Sequence, residues 1–145
     1  MILYTDTSAL IPLIIDEPTS ERCRSLWSGA SERVSARTTY VEAAAAIASA
    51  SRASRIDDDE MRVAHAALDA LWEHVDVVEL DSEIMHSAAA CAREFRLRGY
   101  DAVQCASALR VAGIDAVATS GDRALLAAWQ QLGLAVADTA RSVMR

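Results

Sequence analysis

The sequence predicts an α/β fold in which five short strands alternate with helices and pair as a parallel sheet covered on both faces. Two observations carry that expectation. Hydrophobic residues make up 52% of the 145, enough for a sizeable core. Brief apolar runs also alternate with longer stretches of helical spacing along the whole chain. No period of 20–50 residues repeats and no Ser/Gly/Pro linker interrupts it, so residues 1–145 read as a single domain.

The run Met1-Ile2-Leu3-Tyr4-Thr5 predicts a buried strand ending at Asp6. A helical stretch follows, kinked near Pro12, and Asp16-Glu17-Pro18 predicts a turn. Thr19 to Ala30 has helical spacing with Cys23, Leu26 and Trp27 on one face, and Arg33 to Ala36 is a short strand candidate. Thr39-Tyr40-Val41-Glu42 opens an Ala-rich helix to about Arg52, and Asp57 to about His74 is a second helix with acid in its first turn. Val75 to Leu80 predicts a strand, Asp81 to Leu97 a helix stopped by Gly99, and Asp101 to Ala112 a helix closed by Gly113. Ile114 to Thr119 is a strand, Asp122 to Leu132 a helix stopped by Gly133, and Leu134 to Ala137 the last strand.

Composition excludes several classes. The longest apolar runs, Ala9 to Ile15 and Ala43 to Ala48, are far short of a bilayer span, and no basic segment precedes an apolar one at the start. The expectation is a soluble cytoplasmic protein with no membrane partner. Three cysteines without C-x-x-C spacing predict neither a disulfide framework nor a zinc knuckle. All fourteen basic residues are arginine, so a Walker A loop and a Schiff-base lysine are out. A net charge of −7 disfavours a general nucleic-acid coat yet is compatible with a nuclease whose acids gather metal ions.

Four acids sit where one element hands over to the next: Asp6, Glu42, Asp101 and Asp122. In a parallel sheet, strand ends and the helix starts that follow share one edge, where ligand sites form. Each acid also has a purely structural reading. Asp101 and Asp122 suit helix N-caps, and Thr39-x-x-Glu42 matches a capping box; Asp6 has no capping signature as clean.

The residues around these acids carry more. Asp6-Thr7-Ser8-Ala9-Leu10, Glu42 about 35 residues later, Gly99-Tyr100-Asp101-Ala102-Val103 with Cys105-Ala106-Ser107-Ala108-Leu109, and Thr119-Ser120-Gly121-Asp122-Arg123-Ala124-Leu125 together resemble a PIN domain. More narrowly the chain resembles the VapC-type toxin ribonucleases of type II toxin–antitoxin modules, over nearly its whole length. One departure is visible: the family usually shows Thr-x-Asp before the last helix, whereas two residues separate Thr119 from Asp122. Ser120 could stand in for that threonine. Asp115 is a runner-up acid but lies at the opposite strand end.

The resemblance implies a PIN-like three-layer α/β/α sandwich with a mostly parallel five-stranded sheet. It implies that Asp6, Glu42, Asp101 and Asp122 hold one or two Mg²⁺ or Mn²⁺ ions and hydrolyse RNA phosphodiesters, leaving a 5′-phosphate. Elementary electrostatics agrees: two carboxylates 4 Å apart repel by roughly 4 kcal/mol at an effective dielectric near 20, which a cation removes. Asp6 and Asp101 are the expected direct ligands, with Ser8 and Ser120 as hydroxyls that hold carboxylates in place. RNA-gripping side chains must be arginines, and Arg93, Arg96, Arg98 and Arg123 lie nearest to the acids in sequence. A solvated helix face is the alternative for the first three. His65, His74 and His86 lie away from the acids, and Trp27, Trp72 and Trp129 read as core or interface anchors.

The implied partners are a second copy of the chain, forming a homodimer, and a VapB-like antitoxin lying between residues 8–30 and 38–56 and presenting an arginine to the pocket. Other α/β readings fit less well. A phosphoacceptor receiver needs a lysine, and a haloacid-dehalogenase-type phosphatase needs Asp-x-Asp where this chain has Asp6-Thr7-Ser8. The remaining alternative is a non-cleaving PIN-like scaffold that serves as a protein-binding module.

Overall fold

The computed structural model describes residues 1–141. The elements in chain order are β1 (Ile2–Thr5), α1 (Thr7–Leu10), a 3-10 turn (Ile11–Leu13), α2 (Ser20–Gly29), β2 (Glu32–Ala36), α3 (Arg37–Arg52) and α4 (Asp58–Trp72). There follow β3 (Asp76–Val78), α5 (Ser82–Phe95), α6 (Gly99–Arg110), β4 (Ala116–Ser120), α7 (Arg123–Gln131) and β5 (Ala135–Asp138). The five strands form one sheet in the order β3-β2-β1-β4-β5, and all four pairings are parallel rather than mostly so.

A strand flanked on both sides and covered on both faces must be apolar throughout, which is why β1 holds the centre. Leu3, Tyr4 and Thr5 are buried, with Tyr4 opposite Val34 on β2 and Ala118 on β4. Successive side chains point to opposite faces. Tyr4 joins Val34, Ala36, Val78 and Ala118 against α5, α6 and α7, where its ring meets fully buried Trp129 edge-on at 5.8 Å. Leu3 and Thr5 face Cys23, Leu26 and Trp27 of α2. A second cluster, with Leu10, Ile11, Ala43, Ile47, Ile56 and Leu68, locks α1, α3 and α4 together. Helices therefore cover both faces.

The element boundaries depart from expectation where side chains compete for helix ends. α3 starts at Arg37, two residues before Thr39, so the expected Thr39–Glu42 capping box does not form; the N-cap is Ala36, without a side-chain bond. The capping box forms instead at α4, between Asp57 and Glu60. Gly99 does not stop α5. The left-handed position after that helix is taken by Arg96 (φ 54°), and Gly99 is the first residue of α6. Asp101 thus sits inside the first turn of α6 rather than opening it. Ile114 lies outside β4 and is fully exposed. Gly133 does end α7, at a φ of +86° that favours glycine.

Candidate active site

Strands β1, β2 and β3 run outward on one side of the sheet while β4 and β5 lie on the other, so the order reverses between β1 and β4. In open parallel sheets the crevice beyond the carboxyl ends at such a reversal is the natural ligand site. Asp6 leaves β1 there, and Ser120, Gly121 and Asp122 leave β4 beside it.

Asp6 is buried, at 5% exposure. It does cap a helix, contrary to the sequence reading: Ala9 N donates to its Oδ1 at 3.0 Å. Ser8 Oγ donates to the same oxygen at 2.8 Å, and Ser120 Oγ donates to Oδ2 at 2.5 Å. Burial pushes the carboxyl up to about 6 although all three donors pull it down; the nearby charge of Asp122 adds to the rise.

The two serines form the hub between the strands. Their hydroxyls lie 3.2 Å apart, Gly121 N donates to Ser8 Oγ at 2.8 Å, and Asp122 N donates to Ser120 Oγ at 2.9 Å. Ser120 carries the hydroxyl that faces Asp6, whereas Thr119 donates sideways to the Ala137 carbonyl of β5 at 3.1 Å. Gly121 sits in a close approach, since a Cβ there would lie 3.1 Å from Thr139 Oγ1, which would have to give by a few tenths of an ångström. Asp122 caps α7 by accepting from Leu125 N at 2.9 Å.

Glu42 lies in the second turn of α3, half-buried and gripped from two sides. Thr7 Oγ1 donates to its Oε2 at 2.8 Å and Gln104 Nε2 to its Oε1 at 3.3 Å. Gln104 also donates to Thr39 Oγ1 at 2.9 Å, and its own oxygen accepts from the phenol of Tyr4 at 2.6 Å. Buried Thr39 thus serves this network, 2.8 Å from Ser35 Oγ, instead of capping a helix. Gln104 was missed by sequence reasoning. Its one available signal is the i+3 spacing from Asp101, which puts both on one face of α6.

Electrostatic coupling links the four acids. Burial raises both Glu42 and Asp101; the charge of Asp101 further raises Glu42, and that of Asp122 further raises Asp101, against a lowering by Arg98. Among the described residues, none of the four carboxylates has a salt-bridge partner. An oxygen-only, anionic and unneutralised set suits a hard divalent cation. No three His, Cys, Asp or Glu side chains among the described residues stand close enough around one point to hold an ion alone. The four carboxylates are thus coupled through their charges without being gathered tightly around a single point.

The other singled-out residues separate by position. Arg98 is the N-cap of α6 and Arg123 the first residue of α7, both next to site acids, while Arg93 and Arg96 are exposed at the end of α5. Asp115 lies at the opposite edge, 3.4 Å from the amino group of Met1. His65, His74 and His86 make no bond to any of the four acids among the described residues.

A family model described as PIN domain matches residues 3–130. The chain belongs to the PIN-domain family. Ribonuclease VapC45 of Mycobacterium tuberculosis (strain CDC 1551 / Oshkosh) is 34% identical over 136 residues, covering 94% of each chain. Ribonuclease VapC49 of strain ATCC 25618 / H37Rv matches to the same extent, which places this PIN domain with the VapC ribonucleases. Among solved structures, VapBC-1 from nontypeable Haemophilus influenzae superposes with a TM-score of 0.64 at 19% identity over 97% of this chain and 100% of that one. FitAcB from Neisseria gonorrhoeae gives 0.71 at 16% over 96% and 98%. M. tuberculosis VapC20, described as a sarcin–ricin loop cleaving toxin, gives 0.66 at 20% over 91% and 95%. No helix among the described residues is long and apolar enough to cross a membrane.

Proposed function

We propose that this PIN domain is the toxin of a type II toxin–antitoxin pair and acts in the cytoplasm as a Mg²⁺- or Mn²⁺-dependent endoribonuclease. The observation that supports this reading is a buried Asp6 at the β1/β4 reversal, clamped by Ser8 and Ser120 and electrostatically coupled to acids with no cationic partner. Asp6 and Asp101 are the residues that would hold the cation. Glu42, fixed by Thr7 and Gln104, and Asp122, fixed by the cap of α7, would act through water, through a second ion, or by orienting the attacking hydroxide. Ser8 and Ser120 keep both oxygens of Asp6 aimed, so little reorganisation accompanies substrate binding. A cation held there would supply Lewis acidity, lowering the pKa of a water and offsetting charge on the scissile phosphate.

A VapB-like antitoxin is the proposed partner, and the chain is proposed to pair as a homodimer. One hollow suits such a segment. Ile14, Ile15, Ile56 and Val63 give it an apolar lining, and four acids, Asp16, Asp57, Asp59 and Glu60, share it, with Val63 70% exposed. The test of the catalytic reading is direct. Purified, antitoxin-free protein should cut structured RNA in Mg²⁺ or Mn²⁺ and leave a 5′-phosphate, should stop in EDTA, and should lose the cut as Asp6→Asn or Asp101→Asn. Full activity in both variants would sink the assignment.

A further inference from the structure

Beside the acidic crevice, at the same sheet edge, lies a cleft of about 450 Å³ formed between α2, α7 and the end of β5. Arg22, Arg123 and Arg141 line it, with Leu126 and Val136 among its apolar walls. Three guanidiniums thus meet one carboxylate, Asp138, in a chain whose net charge is −7.

Arg22 is held in place through Nε alone, which donates to the Asp138 carbonyl at 2.8 Å; no bond from its terminal nitrogens is made among the described residues. Arg123 makes no ion pair among the described residues, and Arg141 Nε stands 3.4 Å from Asp138 Oδ2. The cleft adjoins the acidic site by backbone register. Asp138 pairs with Ser120, the residue whose hydroxyl holds Asp6, and Thr139 N donates to the Ser120 carbonyl at 3.0 Å. Arg123 follows Asp122 directly.

We infer that this cleft is a phosphate track, in which Arg22, Arg123 and Arg141 grip the RNA backbone adjoining the phosphodiester presented to the acids. A phosphodiester backbone suits the cleft better than a carboxylate-bearing protein segment, because Arg123 directly follows the site acid Asp122 and the β5 end lining the cleft pairs with Ser120. Guanidiniums match phosphate oxygens in paired geometry. Backbone contacts of this kind position a strand without reading its bases. The inference rests on the ribonuclease reading.

Its test separates binding from cleavage. Affinity for a single-stranded 12-nucleotide RNA of mixed sequence is measured in EDTA across a salt series, for wild type, Arg22→Gln/Arg123→Gln, Arg22→Lys/Arg123→Lys and, at exposed arginines near the end of α3, Arg52→Gln/Arg55→Gln. Single-stranded RNA loses about 0.7 of salt slope per phosphate contact, so the first double variant should lose about 1.4. The lysine pair should keep the slope, and the Arg52/Arg55 pair should match wild type. With Mn²⁺ added, KM should rise about tenfold in the cleft variant while kcat stays within about twofold. An unchanged slope, or an equal loss in the Arg52/Arg55 variant, overturns the track. So does an equal loss of affinity for a Glu-rich peptide of matched charge, which would give the cleft to a protein. If wild type fails to cleave at all, the ribonuclease reading falls, and the EDTA series still decides whether the cleft binds RNA.

Discussion

Replacing Asp6 by asparagine should make the cation-free protein more stable while destroying its activity. The folded carboxyl is pushed up to about 6 from an ordinary 3.8, so the native state binds more protons than the unfolded chain between those values. Its contribution to stability is therefore greatest at low pH and is lost as pH rises through the folded value. The difference between about 6 and 3.8, at about 1.36 kcal/mol per unit, puts the penalty at neutral pH near 3 kcal/mol. Asparagine keeps one oxygen for Ser8 and Ala9 N–H and turns its amide to Ser120, whose hydroxyl can reverse. In EDTA at pH 7.5, urea melts should show Asp6→Asn more stable by about 1–3 kcal/mol, a rise of roughly 3–10 °C in Tm for a chain of this size. The gap should close towards pH 4. Saturating Mn²⁺ should invert the order, because a ligand at 100 times its Kd stabilises wild type by about 2.7 kcal/mol and the variant far less. A variant less stable than wild type in EDTA, or a gap that ignores pH, would refute the reasoning.

Tyr4→Phe leaves the buried oxygen of Gln104 without a donor, and urea melts should show a loss of about 1–3 kcal/mol. The same variant should lower kcat more than it changes KM, because Gln104 then holds Glu42 less firmly. Trp129→Ala empties the fully buried contact beneath Tyr4 and should cost about 3–5 kcal/mol in the same melts. Titration with Mn²⁺ at pH 7.5 should raise the Tm of wild type more than that of Asp101→Asn; equal shifts would remove Asp101 as a ligand.

The alternation of strand and helix was legible because β1, β3, β4 and β5 carry short apolar runs and the long helices have apolar faces, whereas β2 (Glu32–Ala36) carries polar residues in its interior. The pattern at Met1 to Thr5 needs no partner to be read. What stayed hidden depends on contacts remote in sequence. Thr39 and Glu42 match a capping box letter for letter, yet the helix starts earlier because Thr39 is claimed by Gln104, 65 residues away, and lies beside Ser35. Gln104 is an unremarkable amide in an Ala-rich helix until Tyr4 fixes which way it faces. Gly99 follows a helix and looks like its stop, but Arg96 takes the left-handed turn and frees Gly99 to begin the next helix. Of the candidate site, Asp6 and Asp122 stand at element ends as expected, whereas Glu42 lies in the second turn of α3 and Asp101 inside the first turn of α6. The role of Arg22 was not legible, since its partner Asp138 lies 116 residues on.

The middle strand of the sheet is the first to be made, and the hydroxyl that completes Asp6 comes 114 residues later. At bacterial-scale synthesis of 5–20 residues per second, roughly 6–23 s separate the two. During that interval Asp6 has neither the flanking β4 nor the Ser120 clamp, and a chain cut short before residue 120 never acquires them. Translation interrupted before β4 thus leaves the Asp6 carboxylate unfixed, and its surroundings are completed only once residues 116–120 have joined the sheet.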